Sequence, residues 1–286
     1  MTDKLHDAMT LSEERAIFPP TFFANGFSLS GVRHRPAASL ILLTGLVAAS
    51  CSLGQAQDRA ASQGRIAARP RAPAVAPAPG FSVLAIGRGD RDGLLFIPRS
   101  AASGPVPLVV LLHGAGGSAQ GIRRRLFGAS DSIDFALLIP DSRGPTWDAI
   151  RRDYGPDVAF IDSALKVVFS RVAIDPRRVI VSGFSDGASY ALGLGRVNGD
   201  LFTRVVAFSP GFVTGGSPTG KPDVFITHGD DDPILPFEAT SGRIVPAMRR
   251  SGYSVTLKQF IGGHTIPPDL VREAFLWAIA NNDQRR

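Results

Sequence analysis

The stretch Val179-Ile180-Val181-Ser182-Gly183-Phe184-Ser185-Asp186-Gly187-Ala188-Ser189 decides the fold. It opens with a short apolar, β-branched run suited to a buried strand and closes with small residues suited to the start of a packed helix. Between them stands Gly183-x-Ser185-x-Gly187. A strand-to-helix turn this sharp strains the serine backbone, and flanking glycines let neighbouring elements come close. In a chain with 31 glycines the pattern alone occurs by chance, so the strand before it and the helix after it give it meaning. The serine hydroxyl would stand at a helix N-terminus, where the backbone dipole favours developing negative charge. Ser185 is therefore the candidate nucleophile, and the N–H of Asp186 is the first candidate donor to an oxyanion.

Outward from this turn, apolar runs of strand length alternate with helical patterns. Strands are expected at residues 81–86, 93–97, 107–112, 136–139, 179–182, 205–208, 224–227 and 254–260, the first two as an antiparallel pair. Helical patterns cover 120–127, 158–173, 186–195, 238–251 and 268–280. This alternation predicts an α/β fold, a mostly parallel eight-stranded sheet with helices on both faces. The connection after the strand at 205–208 is too short for a lid domain. No internal repeat is visible.

The run at 107–112 ends in His113-Gly114-Ala115-Gly116-Gly117, where a second oxyanion donor is needed. The N–H of Ala115 is the expected one, with Gly114 and Gly116 letting the backbone approach a substrate. For His113 the expected role is a structural hydrogen bond. The chain has five histidines, His6, His34, His113, His228 and His264. The first two precede the folded part, His113 precedes the serine, and His228 ends a strand. That leaves His264, in Gly262-Gly263-His264, as the expected base. Three adjacent carboxylates, Asp230, Asp231 and Asp232, follow the strand at 224–227, and each has the chemistry to orient an imidazole. The side chain of Asp186 suits the first turn of a helix.

With these motifs in place, residues 81–286 resemble the bacterial phospholipase/carboxylesterase and polyhydroxybutyrate-depolymerase-like group of the α/β-hydrolase superfamily. The likeness extends to Pro140-Asp141-Ser142-Arg143-Gly144-Pro145-Thr146-Trp147-Asp148 and to Gly155 through Asp162. The group's pattern H-G-x-x-D-x-x-x-P implies Asp232 as the acid, with Asp230 as runner-up. The resemblance also implies that Trp147 lines an acyl or leaving-group pocket, and that Asp157 and Asp162 cap or position the helix beginning there. It implies two-step acyl transfer on small or soluble carboxylic esters, with no metal or organic cofactor. Phospholipase, lysophospholipase, polyester depolymerase or feruloyl-type esterase activity, a peptidase of the same fold, or a binding protein on a retired scaffold are the alternatives.

Composition narrows the partners. The formal net charge is +6, but residues 51–80 hold four Arg against one Asp, and residues 81–286 hold 23 cationic against 20 acidic side chains. No basic face for nucleic acid follows. The single cysteine, Cys51, excludes an intrachain disulfide and a thiolate metal cage. It stands directly after the apolar run 37–49, which Arg33-His34-Arg35 precede and small residues follow, the layout of a secretory signal. Lipidation of Cys51 as a membrane tether and ordinary cleavage near Ser50 or Ala56 both fit. Translation from Val32 would give a compact signal. The expected organisation is an extension plus signal at 1–50, an extended Pro/Ala/Arg-rich linker at 51–80 and a catalytic domain at 81–286, exported to the periplasm, membrane-anchored or secreted.

Overall fold

The structure, a computed structural model, describes residues 60–73, 78–87, 90–127 and 134–281. The apolar run at 37–49, Cys51 and Val32 lie outside them. Eight strands form one sheet: β1 (Gly80–Val83), β2 (Gly93–Ile97), β3 (Val106–Leu112), β4 (Ala136–Pro140), β5 (Ile174–Phe184), β6 (Arg204–Phe208), β7 (Asp223–Gly229) and β8 (Val255–Phe260). Their order is β1-β2-β4-β3-β5-β6-β7-β8. β2 pairs antiparallel with β1 and β4, and every other neighbour is parallel. The helices are α1 (Ala119–Phe127), α2 (Asp148–Arg151), α3 (Pro156–Arg171), α4 (Asp186–Val197), α5 (Ser241–Arg250) and α6 (Pro268–Ile279).

Strand alternation sorts the core into two layers. On one face Leu108, Val110, Leu112, Val179, Val181, Val205 and Ile226 pack with residues of α3, α4 and α5. On the other face Val109, Leu111, Ile180, Val206 and Phe225 meet Ile122 of α1 and Val271, Ala274 and Phe275 of α6. A strand buried on both faces reads as an unbroken apolar run, which is why β3 was legible at a glance. β5 is longer than its apolar run and begins at Ile174, taking in Pro176. A register shift between Val106 and Leu108 lets β5 pass that proline, which cannot donate to the ladder. At the start of β6, buried Arg204 donates to the carbonyls of Trp277, Ala278 and Ala280, capping the end of α6.

The expected linker at 51–80 is corrected over residues 60–69, which are packed onto the domain. Ala61, Ile66 and Ala68 are buried in the same layer as α3 and α4. Asn198, fully buried after α4, accepts the N–H of Ile66 at 2.8 Å and donates to Gly64 O at 2.7 Å. Asp162 on α3 accepts the N–H groups of Ala67 and Ala68, both at 2.7 Å, so it anchors this segment rather than its own helix. Arg65 and Arg69 both reach Asp200. One isoleucine among Ala, Arg and Pro carries no periodic signal. The segment is held by partners more than ninety positions away, and local composition is silent about those.

A chain beginning at Phe81 should therefore melt lower than one beginning at Asp58, because it uncovers Ile66's site and leaves buried Asn198 with its bond to Leu194 O but without Ile66 N–H and Gly64 O. Asn198→Ala in the longer chain should cost about 1–3 kcal/mol, the penalty for stranded buried backbone groups. Equal denaturation midpoints for the two chains would show that the segment adds nothing.

Candidate active site

Close backbone approach builds the turn at Ser185. A Cβ on Gly183 would lie 2.2 Å from Gly187 O, and a Cβ on Gly187 would lie 2.3 Å from Leu112 O and 2.5 Å from His113 O. Only glycine fits either place. Ser185 itself has φ 57° and ψ −120°, a conformation that L side chains rarely adopt, and its N–H is tied to Phe208 O at 2.9 Å. Packing on three sides thus holds the serine at the first turn of α4, at the carboxyl end of the sheet.

The loops after β7 and β8 bring two further side chains to it. His264 Nε2 lies 2.9 Å from Ser185 Oγ, and His264 Nδ1 lies 2.6 Å from Asp232 Oδ2. Asp232 is 3% exposed, and its Oδ1 accepts the N–H groups of Ile234 and Leu235 at 2.9 and 2.8 Å. Burial alone would raise this carboxyl. The N–H of Leu235, the imidazole of His264 and the N–H of Ile234 outweigh it and hold the group below the usual carboxylate range. With Asp232 ionised, Nδ1 carries the proton and Nε2 faces Ser185 with a free lone pair. The runner-up acid has other work, because Asp230 Oδ1 accepts the N–H of Gly262 at 3.0 Å. Asp231 binds the same loop through its backbone, its N–H on Gly262 O at 3.1 Å, and its side chain is exposed.

The expected oxyanion donors flank this chain. Among the described residues neither the N–H of Ala115 nor that of Asp186 is given a hydrogen-bond acceptor. The N–H of Gly116 is spent on Pro145 O at 2.7 Å, and Gly116 has φ 66°, which favours glycine. Gly114 packs against the nucleophile: a Cβ there would lie 3.3 Å from Ser185 Cβ. His113 Nε2 accepts the N–H of Ser142 at 3.1 Å, so Nδ1 donates to Gly114 O at 2.7 Å. Burial pushes its pKa down, and the neutral ring pins the glycine loop.

Trp147, which the resemblance implies as a pocket-lining residue, is buried behind the loop after β3. It is 1% exposed, its indole N–H donates to His113 O at 2.8 Å, and its ring lies between His113 and Tyr190. A buried indole needs an acceptor for its N–H, and the oxyanion loop supplies one. Asp157 likewise holds the 141–148 loop rather than capping α3, its two oxygens accepting the N–H groups of Arg143 and Asp148. Asp186 Oδ2 accepts the hydroxyl of Thr146 at 2.7 Å, tying that loop to the start of α4.

Two features escaped the sequence. Phe184 stacks 4.7 Å from the His264 ring, with Arg125 4.4 Å over it. His228, fully buried, donates through Nε2 to Leu235 O at 2.7 Å and accepts Ser241 Oγ–H at Nδ1 at 2.8 Å, bracing the loop that carries Asp232. Burial lowers its pKa, as for His113. The pattern His228-Gly229 ahead of Asp232 is visible in the sequence, but its use in bracing depends on Ser241, which only the fold brings near.

The sheet order, the strained serine between β5 and α4, and the loops after β7 and β8 that meet it are those of the α/β-hydrolase fold. The sequence model of the phospholipase/carboxylesterase family matches residues 158–276, a stretch containing Ser185, Asp232 and His264. NocK of Nocardia uniformis subsp. tsuyamanensis, designated an esterase, is 32% identical over 146 residues, 47% of this chain and 42% of that protein. A protein of Aspergillus niger designated feruloyl esterase C is 29% identical over 164 residues, 52% of this chain and 57% of that protein. The chain thus spans about half the length of the curated relatives it matches. The crystal structure of esterase PE8 matches 67% of this chain and 100% of its own, at 26% identity and a TM-score of 0.53. The chain therefore has the α/β-hydrolase fold, and its residues 158–276 match the phospholipase/carboxylesterase family model.

Burial, reinforced by nearby Asp148, pushes the Asp157 carboxyl up to about 6 against the N–H groups that favour its charged form. The folded chain then keeps a proton that the unfolded chain releases above 3.8, so this group's contribution is full below 3.8 and lost as pH rises through about 6. In thermal melts of wild type and Asp157→Asn from pH 4 to 8, the gap between them should shift toward the variant as pH climbs from 4 to about 6 and stay level above that. A pH-independent gap would exclude this titration.

Proposed function

We propose that the protein is a serine carboxylesterase working through an acyl-enzyme. The observation that carries this reading is the unbroken chain Asp232–His264–Ser185, with separations of 2.6 and 2.9 Å, beside the unspent N–H groups of Ala115 and Asp186. Ser185 Oγ attacks the ester carbonyl as His264 Nε2 takes its proton, and Asp232 stabilises the imidazolium. The carbonyl oxygen, now an oxyanion, receives the N–H groups of Ala115 and Asp186. His264 returns the proton to the departing alcohol, then takes one from the water that hydrolyses the acyl-enzyme.

Ile234 and Ile261 are 66% and 92% exposed on the loops after β7 and β8, those that carry Asp232 and His264. Exposed apolar side chains on these loops favour esters with an apolar acyl or aryl group. Similarity to a protein designated feruloyl esterase C supports an aromatic acyl group as the second reading. Export is part of the proposal, on the strength of the basic residues, apolar run and small residues before Cys51.

Hydrolysis of p-nitrophenyl acetate, butyrate, octanoate and palmitate, with methyl ferulate alongside, tests the reading. Wild type should turn over at least one of these, and Ser185→Ala should lower kcat/KM by about 10⁴-fold or more. Asp232→Asn should lose about 10⁴-fold in kcat, whereas Asp230→Ala, which removes the acceptor of Gly262 N–H, should lose about fivefold, the worth of one exposed hydrogen bond. A folded wild type inert on the whole panel, or activity surviving in Ser185→Ala, would refute the assignment. Metabolic labelling with a radioactive fatty acid that disappears in Cys51→Ser would establish the lipid tether, and unlabelled protein in the culture medium would replace it with ordinary secretion.

A further inference from the structure

Parallel strands are usually joined by a crossover helix that covers the sheet. Between β6 and β7 the chain instead runs through residues 209–222 without a helix. This segment lies close along α4, where Gly211 N–H donates to Ser189 Oγ at 2.9 Å and Thr219 N–H donates to Arg196 O at 2.8 Å, and it is tied to the turn before α3 by Thr214 Oγ1 and Tyr154 OH at 2.6 Å. A Cβ on Gly193 of α4 would lie 1.8 Å from Thr214 Oγ1, so there is no room for it to come closer. An extended chain hugging α4 is thinner than a helix, and the space left toward α5 is an open cleft of about 700 Å³. That is within the usual size of small-molecule sites, roughly 300–1,000 Å³.

None of Ser185, Asp232 or His264 lines this cleft. Its walls include Phe212, Val213, Ile244, Met248 and Tyr253, and three cations, Arg196, Lys221 and Arg243, also line it. No carboxylate does. Among the described residues Lys221 and Arg243 have no ion pair or side-chain hydrogen bond, and Arg196 reaches only Thr214 O at 3.5 Å. Apolar walls with three cations and no counter-charge complement a ligand that has an apolar body and an anionic head. We infer that the cleft between residues 209–222 and α5 is a second binding site, separate from the catalytic serine, for an amphipathic carboxylate.

Titration calorimetry of the full chain carrying Ser185→Ala, with dodecanoate as ligand and dodecanol as its uncharged control, tests this. Dodecanoate should bind saturably at one site, and dodecanol should bind about tenfold more weakly or not at all, the combined worth of two or three exposed ion contacts. Lys221→Gln with Arg243→Gln should weaken dodecanoate about tenfold and leave dodecanol unchanged. Ala247→Trp, which places an indole in the cleft from an exposed position of α5, should abolish the binding of both. Should the tryptophan variant fail to fold, the charge pair decides alone. Absence of dodecanoate binding, equal binding of dodecanol, or insensitivity to the charge pair would overturn the proposal. Because the serine is already removed, each of these results is independent of the esterase assignment.

Discussion

The structure turns on a contact between backbones. α4 leaves the sheet so close to β3 that Gly187 touches the carbonyls of Leu112 and His113, while Gly183 and Gly187 pass each other with no room for a methyl group. Such proximity is what forces Ser185 to φ 57° and what aims its hydroxyl outward. Strain at one residue costs on the order of 1–3 kcal/mol and persists only when its surroundings over-determine it. Here they do, because Ser185 N–H is fixed to β6 and the layers on both faces of the sheet fix β3, β5 and β6 relative to one another.

A second constraint joins the acid to the base. The loops after β7 and β8 are cross-braced before either side chain is considered: Asp230 N–H bonds Phe260 O, Asp231 N–H bonds Gly262 O, and Asp230 Oδ1 accepts Gly262 N–H. Gly229 lies so near Gly262 and Gly263 that a Cβ would come within 2.2 Å of a carbonyl. His228 then ties the acid's loop down to α5. Asp232 and His264 are thereby placed by rigid neighbours, which leaves their side chains little rotamer freedom.

The same economy explains the periphery. His113, Trp147, Asp157 and Asp186 look catalytic on a list of polar and aromatic residues near the serine, yet each is occupied with holding a loop. Buried polar groups must find partners, and the loop after β3 finds them in this scaffold. The missing crossover helix between β6 and β7 follows the opposite logic: a thin segment suffices to seal α4, and the uncovered flank becomes a cleft.

Sequence by itself determined the sheet, its helices and the serine's turn, because strand burial, helical period and the glycine pair are local properties that composition must obey. His264 followed by elimination, since chain order admits few candidates. Asp232 could not be separated from Asp230 by residue chemistry; resemblance pointed to it, and the distinction between a partner for the imidazole and a partner for Gly262 N–H exists only once two loops are folded against each other. The side of the wall that Trp147 takes is invisible in one dimension. Residues 60–69 read as tether because what holds them, Asp162, Asn198 and Asp200, lies far along the chain. Long-range polar partnership leaves no period in a sequence, and the tertiary structure alone decides it.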